Sequence, residues 1–118
     1  MGVDRNDYIV IGYKMPYDVK FKNGELLCED IWDDEKYIPM IEGWKDEEFT
    51  IISDGMSGKY IAFGKMIDSS DEYQGFDFIE LNIDQADFDK VKQRAKEIFP
   101  ELEFDFETPK TLIFSHYS

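Results

Sequence analysis

The clearest helical periodicity in the chain lies between Asp84 and Ile98. Phe88, Val91, Ala95 and Ile98 recur at offsets 0, 3, 7 and 10, which places them on one face of a helix. Asp84 stands at the N-cap position, Asp87 and Asp89 lie near the positive end of the helix dipole, and Arg94 and Lys96 near the negative end. Pro100 stops the run. The other apolar stretches are short, β-branched or aromatic, and separated by turn residues. They read as strands at Asp7–Lys14, Phe49–Ser53, Lys59–Ile67, Phe76–Leu81, Leu102–Phe106 and Thr111–Phe114. Asp54-Gly-Met-Ser-Gly58 is turn-like and predicts a hairpin between the second and third of these. A short helix is expected near Asp33–Ile41, limited by Pro39 and ended by Gly43. The pattern predicts one α+β domain over residues 1–118: a single, mostly antiparallel sheet of about five strands, with one principal helix (84–98) packed on one face.

Charge narrows the function. Among 118 residues, 27 are Asp or Glu and 13 are Lys or Arg, a net charge of −14. Binding nucleic acid directly through its phosphates needs a basic face, which this balance opposes. Aromatic residues at 16% are too many for a disordered acidic tail. No apolar run is long enough to cross a membrane. The start of the chain lacks a basic and apolar secretory leader, and Asn6 stands where a myristoylation motif needs Ser or Thr. Cys28 is the only cysteine and has no internal disulfide partner, which points to a reducing, cytoplasmic setting.

Motifs that carry chemistry are missing. His116 is the only histidine and reads as a strand-end residue, while Cys28 reads as a core thiol rather than a nucleophile paired with it. Two such residues do not make a structural zinc site. Gly58-Lys59 resembles the tail of a phosphate-binding loop, but Ser53 replaces its leading glycine, Tyr60 follows it, and it joins two strands. Asp68–Glu72 fails the EF-hand spacing, with Tyr73 and Ile79 at its sixth and twelfth positions. The expectation is a protein without cofactor, metal or enzymatic activity.

The charge is concentrated. Residues 25–48 hold ten carboxylates against Lys36 and Lys45, a net of −8, together with both tryptophans. One reading is a solvated acidic surface. The other is a binding face for a basic partner, with Glu29, Asp30, Asp33, Asp34, Glu35, Asp46, Glu47 and Glu48 steering the encounter and Trp32, Tyr37 and Trp44 anchoring it. Spread along a helix, this segment would carry about one net charge per 4.5 Å, against roughly one per 1.7 Å for duplex DNA, so it does not imitate a duplex unaided. Glu101, Glu103, Asp105 and Glu107 alternate with Leu102, Phe104 and Phe106 and supply a second acidic row.

Met1-Gly-Val-Asp4, Tyr8, Ile11-Gly-Tyr13, the strand Lys59-Tyr-Ile-Ala62 and the ending Pro109-Lys-Thr-Leu-Ile-Phe-Ser-His-Tyr117 together resemble small uncharacterised proteins of tailed bacteriophages. The resemblance covers the two ends and one strand, and it carries no catalytic residue with it. It implies a phage accessory protein, made in the bacterial host cytoplasm, that binds and inhibits a host or defence factor with a basic surface, of nuclease, restriction or CRISPR type. Two alternatives stand beside it: a small-ligand or nucleotide-binding module using the sheet–helix cleft, and a structural or assembly protein whose acids are only solvated. The oligomeric state is open at this stage.

Overall fold

The structure is a computed structural model, and it describes residues 5–42, 48–71, 73–76 and 78–117. Four strands form one open antiparallel sheet: β1 (Arg5–Pro16), β2 (Phe49–Ser53), β3 (Tyr60–Asp71) and β4 (Lys110–Tyr117), in the spatial order β2-β3-β1-β4. Two helices accompany it, α1 (Leu27–Asp33) and α2 (Gln85–Ile98), with a 3-10 turn at Ile38–Met40. The α+β class and the main helix thus agree with the sequence.

The β2–β3 hairpin forms as expected. Asp54 is buried at the turn, where its carboxylate accepts from the Ser57 and Lys59 amides, while Gly58 supplies the positive φ of 64° that closes it. α1 lies earlier than the expected 33–41 helix, because Leu27 and Ile31, four apart, supply the buried stripe. β1, β3 and β4 outrun the apolar pattern, since polar residues such as Asn6, Ser69 and Ser115 extend the ladders.

Two expected strands are absent. Residues 76–81 form no ladder among the described residues, and Phe78 is 97% exposed, so its alternation meets no core. Residues 102–106 keep their alternation: Leu102 and Phe106 are buried, Phe104 half-buried, and the acids between them exposed. Their backbone, however, forms no ladder: it has the isolated Phe21–Leu102 bridge, the Glu103 amide on the Lys20 carbonyl, and local turn bonds such as Phe104 to Leu102. An extended chain gives period two whether or not a ladder forms beside it.

The main core lies under α2, where Val91, Ala95 and Ile98 meet Ile11, Tyr13, Met15 and Phe63. A smaller core occupies the other sheet face, built from Tyr8, Val10, Ile52 and Ala62. The shape of the sheet explains that second core. On β1, Tyr60 of β3 lies opposite Pro16, and His116 of β4 lies opposite Asn6. Ten residues of straight strand span about 33 Å. Yet the Tyr60 hydroxyl is 2.8 Å from His116 Nδ1. The sheet therefore coils back over this face.

Between these two points Gly12 faces Gly64 across β1 and β3. A Cβ at Gly12 would sit 1.9 Å from the Phe63 carbonyl oxygen, and one at Gly64 would sit 2.1 Å from that of Ile11. The backbones approach too closely for any side chain, and a register shift at Ile9/Val10 adds local twist.

Candidate functional site

α1 presents the acidic candidates. Leu27 and Ile31 face inward, so Glu29, Trp32 and Asp33 face outward, followed by exposed Asp34 and Glu35. Trp32 is 62% exposed. Asp30 is partly buried beside this group. Burial first, then the nearby charges of Glu25, Asp34, Asp33 and Glu29, push its carboxyl above the ordinary range. The acids of residues 25–34 therefore converge in space as well as in sequence. Glu25, Asp30, Asp34 and Glu101 line one groove, with Lys22 and Lys36 among its walls.

Other members of the expected face stand elsewhere. Tyr37 is 1% exposed and stacked on Phe99, with ring centroids 5.6 Å apart, so it packs in the core, where it also joins the wall of the acidic groove. The sequence could not place it there, because an aromatic amid acids fits a core or a docking role. Burial, then Asp34 and Asp30, push its phenol up to about 12. Glu48 is ion-paired with Lys90 of α2 and lines a different groove with Phe49 and Arg94. Trp44, Asp46 and Glu47 lie outside the described residues.

The constellation missed by sequence reasoning surrounds His116. The ring is 1% exposed. Both ring nitrogens have partners. The Tyr60 hydroxyl is hydrogen-bonded to Nδ1 at 2.8 Å, and Nε2–H donates to Glu42 Oε1 at 3.2 Å. Burial, then the charge of Asp54, pushes the Tyr60 phenol up to about 12, which keeps it a donor. The His116 bond is the leading cause that holds the Glu42 carboxyl below its ordinary range, against the opposing effect of burial. Glu42 reaches this position with φ at 52°, rare for a residue with a side chain.

Both imidazole nitrogens are engaged and the ring is enclosed, leaving no free nitrogen to face a ligand. The trio ties β4, β3 and the segment before β2 together across the coiled face. No local signal in the sequence joins positions 42, 60 and 116. Cys28, by contrast, packs against the main core, where burial raises its thiol. Among the described residues no three His, Cys, Asp or Glu side chains gather as a metal-binding group, and no helix is long and apolar enough to cross a membrane.

Comparison with protein-family models, with curated proteins and with solved structures finds no match to this chain.

Proposed function

We propose that this is a non-enzymatic phage accessory protein that binds and inhibits a host or defence factor through the acidic face of α1, acting in the bacterial cytoplasm. The observation that carries this reading is Trp32, 62% exposed among Glu29, Asp33 and Asp34. A large indole left in water is an unused apolar anchor, and exposed tryptophans dominate many interfaces. The carboxylates around it would steer a basic partner and reject acidic ones. Self-repulsion from a net charge of −14 works against the compact state, so a face that repays it on binding is the more economical design.

The test starts from a basic host protein recovered from lysate and purified. Trp32→Ala should weaken its binding by about tenfold or more with little change in thermal stability. Glu29→Lys with Asp33→Lys should slow association, and the wild-type affinity should fall as salt rises. Binding that ignores salt and both variants would overturn the reading.

A further inference from the structure

The face with the smaller core carries an opening that the acidic face does not explain. A groove of about 240 Å³ is lined by Lys14, Tyr60, Ala62, Leu112, Ile113 and Phe114. Its origin is the coiling of the sheet, which brings β4 across from the start of β3 while Ala62 leaves the floor shallow. Its walls are held in place. The Tyr60 hydroxyl is fixed on His116, and the Tyr60 ring meets Phe114 edge-on, at 5.7 Å and 76°.

The charge at this groove has the opposite sign to that of the molecule. Lys14 lies opposite Ala62 and Lys110 opposite Gly12, so register puts both lysines on the same sheet face as the groove. Both are exposed, and neither has an ion pair among the described residues. A neighbouring opening shares Lys14 and Leu112, includes Lys110, and has Asp105 and Glu107 among its walls. Those two carboxylates disfavour a ligand of high negative charge, while one anionic group beside Lys14 is matched.

We propose that this groove binds a small amphiphilic monoanion, a carboxylate on a short aliphatic or aryl-alkyl tail. The tail lies along the groove walls formed by Tyr60, Phe114 and Leu112, over Ala62, and the carboxylate sits at Lys14, with Lys110 beyond it. The volume is below the roughly 300–1,000 Å³ of drug-sized pockets and suits about ten non-hydrogen atoms. Removing the tail's methylenes from water supplies most of the affinity, so a bare anion would bind poorly. This site is independent of the α1 face.

Octanoate is the probe, titrated into the full chain to about 20 mM while backbone amide shifts are followed by NMR, a range that detects millimolar binding. The expected result is saturable movement of the Lys14, Ala62 and Leu112–Phe114 amides. Octan-1-ol, with the same tail and no charge, should bind about threefold to fivefold more weakly, the span of one exposed ion pair. Lys14→Gln should weaken octanoate by a similar factor and leave octan-1-ol unchanged. Lys14 is exposed and has no ion pair among the described residues, so that variant keeps the fold, and its own amide spectrum verifies this. No saturation, shifts mapping elsewhere, equal binding of acid and alcohol, or indifference to Lys14→Gln would each overturn the assignment.

Discussion

At the scale of single residues, the pair Gly12–Gly64 sets the shape of the sheet. Each glycine's missing Cβ is replaced by the opposite strand's backbone, and backbone cannot swing aside as a long side chain can. Gly12→Ala should therefore cost about 1–3 kcal/mol or more, read as a lower urea midpoint at similar slope. Gly55→Ala is the control: a Cβ there meets nothing within 4 Å, and its stability should stay near wild type. Equal stability of the two variants would mean that the close strand approach is not needed. The sequence sets Gly12 inside a strand, unlike the turn glycines, but it does not show that Gly64 faces it, because that depends on register. His116 was legible as a strand-end residue, but its partners Tyr60 and Glu42 were not. Their bonds cross 56 and 74 positions of chain.

At the scale of elements, α2 was the most legible because its signals are local. The Asp84 carboxylate accepts from the Asp87 amide at 3.1 Å, and Asp87 returns the bond to the Asp84 amide at 3.1 Å. Asp87 also takes Lys65 of β3 at 3.0 Å, tying the helix start to the sheet. Its bond from the Asp84 backbone is the leading cause that holds the Asp87 carboxyl below the ordinary range. Asp84→Ala should cost about 1 kcal/mol, and Asp84→Asn, which keeps an acceptor, clearly less. Chemical denaturation of both variants checks the order, and equal losses would refute the cap. The segments 76–81 and 102–106 were misread for a shared reason. Alternation marks which side chains prefer apolar surroundings, whereas a strand also needs a neighbour offering a free ladder, and pattern does not supply one.

At the scale of the molecule, two carboxylates couple stability to pH in opposite directions. The Glu42 carboxyl lies below its ordinary value of 4.5 in the folded state. The stability it contributes is fully present above that value and is lost as pH falls through the lower folded one. Asp30 lies above its ordinary value of 3.8, so its charge opposes folding at neutral pH and is relieved as pH falls through the raised value. Asp30→Asn should be more stable than wild type at pH 7, with the difference shrinking on acidification. Glu42→Gln should lose less than wild type as pH falls below about 4.5. Urea midpoints across pH measure both, and parallel profiles for all three proteins would refute the assignment.

Local sequence suffices for the α+β class, the main helix with its cap, the β2–β3 hairpin, and the concentration of acid around Trp32. Each depends on neighbours within a few positions, where periodicity, turn chemistry and charge act directly. Long-range contacts are needed to see that Tyr37 is core, that Glu48 serves α2, that the sheet coils at two facing glycines, and that Tyr60, His116 and Glu42 meet. They also place Lys14 and Lys110 on one face beside an apolar groove. These depend on register and on coiling of the sheet, which sum small backbone rotations over whole strands.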